Sequence, residues 1–176
     1  LSLKEKYRIN DYLKGGKRMK VAIACETSSF QLKEQVKKYI MNLGYEVEDV
    51  GQLSEDENVL YFEAAANLAR KIQSGACERG IVFCGTGAGV SLIANKFRGV
   101  YCVACESIFT AEKISLINNA NVLAMGARVV SFDMGCEMAE RFLAGQWCEG
   151  FAEQRRKNNE RGFEVLKQIE EEQRYD

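Results

Sequence analysis

Short apolar runs alternate with helix-like segments from residue 20 onward, and this alternation constrains the fold more than any other feature of the sequence. The runs predicted as strands are 20–25, 45–51, 79–85, 100–105 and 121–126. Largely apolar runs are typical of strands that helices cover on both faces, and residues 45–51 instead alternate between apolar and polar as a strand does. Five such strands separated by helices predict an α/β fold, namely a three-layer α/β/α sandwich on a five-stranded parallel, Rossmann-like sheet with right-handed crossovers.

The intervening segments carry helical spacing. The first places one apolar stripe along a helix that Gly44 should end: Leu32, Val36, Tyr39, Ile40 and Leu43. The pattern Ser28-x-x-Gln31 predicts a capping box at the start of this helix. Residues 57–74 are rich in alanine and predict a second helix.

Length and charge divide the chain into three parts. Residues 19–150 are predicted to form one domain, long enough to bury a core. Residues 1–18 are basic, and Lys14-Gly15-Gly16-Lys17-Arg18 is what a translated purine-rich ribosome-binding site would encode, which favours Met19 as the native start. The alternative is an extension that packs on a partner subunit. Residues 151–176 predict a C-terminal helical arm, either solvated or reaching a neighbouring subunit.

Composition excludes several classes of protein. The formal net charge of -1 gives no reason to expect binding to nucleic acid or to a membrane, and no run of 18 apolar residues predicts a membrane span. The seven cysteines are scattered through apolar stretches, which favours reduced thiols and a cytoplasmic location. Cys102 and Cys105 fall within a predicted strand, where residues three apart face opposite sides, so they are predicted to be structural.

A glycine-rich turn, "FCGTGAGV" at 83–90, follows the third predicted strand and precedes a helix. Free amides at such a turn and the positive end of a helix favour an anion. The spacing of Gly85, Gly87 and Gly89 differs from the dinucleotide pattern G-x-G-x-x-G, and no Gly-Lys-Ser/Thr follows, so a nucleotide site is disfavoured. The turn either holds an anion that forms during a reaction beside Cys84, or Cys84 is simply a buried structural residue.

Ligands of parallel sheets bind at the carboxyl ends of the strands. The sequence places four stretches at that edge: 25–27, 84–89, 105–107 and Gly126.

Three stretches carry a resemblance to a known family. They are "FQLKEQVKKYIMNLGYEVEDVG", "GIVFCGTGAGVSLIANK" and "NNANVLAMGARVV". Together they resemble the ribose-5-phosphate isomerase B and galactose-6-phosphate isomerase family, over about residues 20–156. The resemblance implies interconversion of aldose and ketose sugar phosphates through a cis-enediolate, without metal or organic cofactor. It also implies a homodimer or dimer of dimers whose active sites lie at the subunit interface.

The same resemblance implies roles for individual residues. Cys84 would be the base that moves a proton between C1 and C2, and Thr86 would assist opening of the sugar ring. The amides that would hold the enediolate belong to Gly85, Gly87 and Gly89. Asn118 would bind sugar hydroxyls.

Departures from the family pattern concern the histidines, of which this chain has none. Glu26-Thr27 stands where the family has Asp-His, which keeps a carboxylate but loses a phosphate ligand. Glu106 stands where the family has a histidine that assists ring opening. It is either a replacement base or an exposed glutamate that stabilises the start of a helix.

The tail shows a further departure, because Ala152 aligns with one phosphate-binding arginine while Arg156 aligns with the second. Losing two phosphate ligands would cost about 3–6 kcal/mol of binding. The sequence therefore predicts a substrate other than ribose 5-phosphate. The alternatives are an isomerase of an unphosphorylated sugar or uronate, and a non-catalytic sugar-binding subunit.

Overall fold

The computed structural model describes residues 19–173, so the interpretation of residues 1–18 lies outside the described part of the chain. Five parallel strands form one sheet in the order β2-β1-β3-β5-β4. Their bounds are β1 Lys20–Cys25, β2 Glu46–Asp49, β3 Arg79–Cys84, β4 Cys102–Ala104 and β5 Val122–Gly126. The predicted strands are confirmed, and the second and fourth are shorter than their apolar runs suggested.

Helices cover both faces of the sheet. Their bounds are α1 Phe30–Asn42, α2 Tyr61–Gln73, α3 Ala88–Ala94, α4 Ile108–Asn118, α5 Phe132–Ala144 and α6 Glu153–Glu172. One buried cluster joins the sheet to α1, α4 and α5 through residues such as Leu32, Ile114 and Met138. The other joins the opposite face to α2 and α3 through Leu68 and Val90. The predicted three-layer sandwich is confirmed.

Two local predictions about helix starts are wrong. Ser28 and Gln31 form no capping box, because residues 27–29 form a short 3-10 turn and α1 begins after Ser29. Ser28 instead donates its backbone N–H to the Glu26 carboxylate. The helix expected over 57–74 begins only at Tyr61.

Cys102 and Cys105 lie in the two different core clusters, on opposite faces of the sheet, as their spacing predicted. Both are free cysteines. Burial raises the pKa of Cys105 to about 11, and the pKa of Cys25 to about 12 for the same reason. These thiols are structural.

The C-terminal arm packs on its own chain, and its contacts include those of Phe163 and Glu170. The Phe163 ring lies 5.1 Å from the ring of Tyr101 and 5.2 Å from that of Trp147. Glu170 accepts hydrogen bonds from the Gly99 N–H at 2.8 Å and from the Tyr101 hydroxyl at 3.2 Å. Among residues 19–173, no helix is both long and apolar enough to cross a bilayer.

A buried lysine ties together the carboxyl ends of β1 and β2. Lys33 on α1 is 0% exposed and donates to the Asp49 carboxylate at 2.6 Å and to the Gln52 carbonyl at 2.8 Å. The Gln52 N–H in turn donates to the carbonyl of Cys25 at 3.2 Å. Lys33 therefore fixes the loop after β2 against the end of β1.

We expect Lys33→Met to lower the free energy of unfolding by about 3 kcal/mol, because it leaves buried acceptors without their donor. The matched control is Lys37→Met. Lys37 also pairs with Asp49, at 2.7 Å, but its side chain is 27% exposed, so its loss should cost about 1 kcal/mol or less. Urea unfolding of both variants checks the difference, and equal losses would contradict the assigned role of Lys33.

Candidate active site

The register of three strands builds one cavity at the carboxyl edge of the sheet. Cys25 pairs with Phe83, and Cys84 pairs with Gly126, so the segments that follow β1, β3 and β5 emerge side by side. Together with the start of α2 they surround a cavity of about 360 Å³. Its lining residues are Glu26, Ser28, Tyr61, Cys84, Gly85, Thr86, Gly89 and Arg128. The cavity brings together five of the residues predicted from sequence and adds Ser28, Tyr61 and Arg128.

Cys84 ends β3 at the floor of this cavity and is 6% exposed. The N–H of Gly87 donates to the Cys84 Sγ at 3.1 Å. This geometry depends on a φ of +80° at Gly87, a left-handed conformation that favours glycine. The Gly87 amide therefore supports the sulfur and does not point to a ligand.

Amides that remain open to a ligand include that of Gly89, in the first turn of α3, and those of the two residues before Gly87. Gly85 and Thr86 donate no backbone hydrogen bond within residues 19–173. Both line the cavity next to the Cys84 thiol. An oxyanion beside Cys84 would find its hydrogen-bond donors there.

Arg128 is the cation of the cavity, and the sequence interpretation assigned it no role. Its backbone N–H donates to the Gly85 carbonyl at 3.0 Å, and its Nε lies 3.5 Å from the point where a Cβ on Gly85 would stand. The side chain is exposed and makes no hydrogen bond or ion pair within the described residues. The available signal was its position two residues after Gly126, at the carboxyl end of β5.

Glu26 faces the cavity with both carboxylate oxygens engaged. One oxygen accepts the Ser28 N–H at 2.8 Å, and the other accepts the Ser28 hydroxyl at 2.5 Å and the Ser29 hydroxyl at 3.3 Å. These bonds make Glu26 the cap of the 3-10 turn after β1. Its orientation in the cavity is therefore fixed by the chain itself.

Tyr61 also lines the cavity and was also missed from sequence. A Cβ on Gly89 would lie 3.0 Å from Cδ2 and Cε2 of the Tyr61 ring, so the ring packs directly on the glycine turn. The Glu63 carboxylate accepts the Leu60 N–H at 3.0 Å and fixes the start of α2 just before Tyr61. Tyr61 is the first residue of α2, the helix that follows β2, and this position is the sequence signal that could have identified it.

Besides Gly87, whose amide supports the Cys84 sulfur, four predicted residues do not line this cavity in the single chain. The Thr27 hydroxyl donates to the Asn58 side chain at 3.2 Å. Glu106 is exposed just before α4. Asn118 ends α4, at the amino edge of the sheet, and lines a cleft beside α6. Arg156 lies on α6, 53% exposed, with its Nε 3.7 Å from Glu160 Oε1.

A larger cleft of about 470 Å³ lies between α1 and α5. Three carboxylates line it: Asp133, Glu137 and Glu140. The Tyr39 hydroxyl donates to Glu140, and this bond raises the pKa of Tyr39 to about 12. The cleft lies along two helices and away from the strand ends, so the Cys84 cavity remains the candidate active site.

Comparisons with known proteins show the family of the chain. Residues 21–159 match the family model described as Ribose/Galactose Isomerase. The chain is 49% identical over 137 residues to the 4-deoxy-4-sulfo-D-erythrose isomerase of Clostridium sp. strain MSTE9, covering 78% of this chain and 86% of that protein. It is 34% identical to the D-erythrulose-4-phosphate isomerase of Pectobacterium atrosepticum, covering 74% of this chain and 83% of the relative.

A solved structure extends the agreement to three dimensions. Ribose-5-phosphate isomerase B of Clostridium thermocellum superposes with a TM-score of 0.79 at 30% sequence identity. The match covers 88% of this chain and 99% of that protein. The family model, the curated relatives and the superposition together show that the chain belongs to the ribose/galactose isomerase family of sugar isomerases.

Proposed function

We propose that this protein interconverts the aldose and ketose forms of a four-carbon sugar that carries an anionic group on C4, with Cys84 as the base. The observation that carries the proposal is one cavity that holds a cysteine thiol, two open amides and an unpaired arginine. The thiol and amides suit a reaction at C1 and C2. The arginine suits an anion at the other end of a short substrate.

The relatives support this size and charge. Two of them are named for 4-deoxy-4-sulfo-D-erythrose and for D-erythrulose 4-phosphate. Both compounds have four carbons and an anion at C4. An unpaired Arg128 in the cavity argues against a neutral sugar, whose binding gains little from a guanidinium.

The proposed chemistry moves one proton between two carbons and a second proton between two oxygens. The Cys84 thiolate takes the proton from C2 of the open-chain aldose, the C2 electrons form the C1=C2 bond, and the carbonyl oxygen becomes an enediolate oxygen. The Gly85 and Thr86 amides stabilise that oxygen. After a proton shifts from O2 to O1, the Cys84 thiol returns its proton to C1, and the ketose forms.

We also propose that a second copy of the chain completes the site, in a cytoplasmic homodimer or dimer of dimers. Asn118 lines a cleft beside α6, the helix that carries Arg156, away from the cavity of its own chain. The roles that the family resemblance implies for Asn118 and Arg156 require that surface to meet the Cys84 cavity of another subunit. Glu26 and Thr27 keep the substrate-binding roles stated above as predictions, and Thr86 acts through its backbone amide.

We expect Cys84→Ser to slow exchange of the C2 proton at least about 100-fold, because the alcohol is a poor base. The measurement follows deuterium incorporation by NMR with D-erythrose 4-phosphate and 4-deoxy-4-sulfo-D-erythrose in D2O. Cys136→Ser, at a half-buried cysteine outside the cavity, is the matched control and should match the wild type. The wild type failing to exchange either sugar would overturn the proposed function.

Arg128→Gln should raise KM for either anionic substrate about 10- to 100-fold, because it removes a hydrogen bond between two charged groups. The change in kcat should be smaller, since Arg128 contacts the end of the substrate that does not react. Arg98→Gln, at an exposed arginine paired with Glu171, should leave KM unchanged. Steady-state kinetics separate the two parameters, and an unchanged KM for Arg128→Gln would contradict the assignment.

Completion of the site by a partner can be tested by mixing two inactive variants, Cys84→Ser and Asn118→Ala. After unfolding and refolding of an equal mixture, half of the dimers contain one copy of each variant. One of their two sites is then intact, so about a quarter of the wild-type activity should return. Each variant refolded alone is the control, and a mixture no more active than these would contradict a shared site.

A further inference from the structure

In the proposed reaction Cys84 acts as the base at carbon. Among residues 19–173, the lining of the cavity supplies no further acid and base for proton transfer at the sugar oxygens. Its titratable groups are Glu26, Tyr61, Cys84 and Arg128. In the proposed reaction Cys84 transfers protons to and from carbon. An arginine stays protonated in proteins, so it is not a general base. Both oxygens of Glu26 already accept hydrogen bonds from Ser28 and Ser29.

Hydroxyl groups do not fill this gap. The remaining hydroxyls, those of Tyr61 and Thr86, belong to a phenol and an alcohol, and neither is among the efficient general bases for a sugar hydroxyl. The Thr86 Oγ1 also accepts the Ala88 N–H, at 3.4 Å. The chain contains no histidine, and this holds for any second copy that meets the cavity.

Opening a sugar ring needs such a pair. A base takes the proton from the hydroxyl on C1, the C1=O bond forms as the bond from C1 to the ring oxygen breaks, and an acid returns a proton to the ring oxygen. Both transfers occur at oxygen atoms, whereas Cys84 transfers its proton to and from carbon. Glu106, the remaining candidate from sequence, is exposed and lies outside the cavity.

We propose that the site takes only open-chain sugars and does not catalyse ring opening, so its substrates are aldoses and ketoses that cannot close to a hemiacetal. This inference rests on the proposed function and explains its substrate size. A four-carbon aldose closes to a five-membered ring through the oxygen on C4. A sulfonate that replaces that oxygen, or a phosphate ester on it, prevents closure, and no ring-opening residue is needed.

The test compares two substrates that differ in a single oxygen. Ribose 5-phosphate closes to a ring through O4, whereas 4-deoxyribose 5-phosphate lacks O4 and stays open. We expect kcat/KM for the 4-deoxy sugar to be at least about 100-fold higher, the size of a typical acid–base contribution. The rate with ribose 5-phosphate should also stop rising as enzyme is added, at the rate of spontaneous ring opening.

Equal kcat/KM values, or a ribose 5-phosphate rate that keeps rising with enzyme above the spontaneous opening rate, would overturn the inference. If neither five-carbon sugar reacts, the same comparison is made with erythrose, which closes through O4, and 4-deoxyerythrose, with inorganic phosphate added to supply the anion that Arg128 binds. Exchange of neither four-carbon anionic sugar would instead overturn the proposed function, whatever the ratio.

Glu106→Gln provides a second readout on the full-length protein. We expect it to leave the ratio of kcat/KM between the open-chain and ring-forming sugars unchanged. Selective loss of activity on ribose 5-phosphate would identify Glu106 as a ring-opening base and overturn the inference. Glu78→Gln, at an exposed glutamate at the amino edge of the sheet, controls for the change in charge.

Discussion

The hydrogen-bonded register of β1, β3 and β5 is the constraint on which the rest of the site depends. Pairing of Cys25 with Phe83 and of Cys84 with Gly126 makes the three strands end within one residue of each other. A one-residue slip would turn every side chain of a strand to the opposite face. The apolar clusters on both faces of the sheet therefore fix this register, and the register fixes the position of Cys84.

The turn after Cys84 places the Gly85 and Thr86 amides beside the thiol and contacts the loop that carries Arg128. Backbone bonds from Ala127 to Cys84, at 2.9 Å, and from Arg128 to Gly85, at 3.0 Å, hold the two loops together. The proposed base, Cys84, and the proposed anion-binding cation, Arg128, thus follow adjacent strands and share a backbone scaffold.

The sheet and the glycine turn could be predicted from sequence because each rests on a local pattern. Apolar runs predicted all five strands, and the rule for the carboxyl ends of strands located Glu26 and Cys84 at one edge. The capping box failed because Ser28 had a nearer acceptor in Glu26, which spacing alone does not reveal. Arg128 and Tyr61 were missed because their place in the cavity depends on how the segments after β5 and before α2 pack on the turn.

A chain without histidine is consistent with catalysis when the substrate is an open-chain sugar that carries a single anionic group. In the proposed reaction, the Cys84 thiol transfers the proton at carbon and Arg128 binds the anion. The most direct measurement is a crystal structure with a four-carbon hydroxamate that carries a C4 sulfonate, an analogue of the enediolate. We expect the hydroxamate oxygens on the Gly85 and Thr86 amides beside Cys84, and the sulfonate on Arg128. A hydroxamate bound away from Cys84, or a sulfonate bound away from Arg128, would contradict this arrangement.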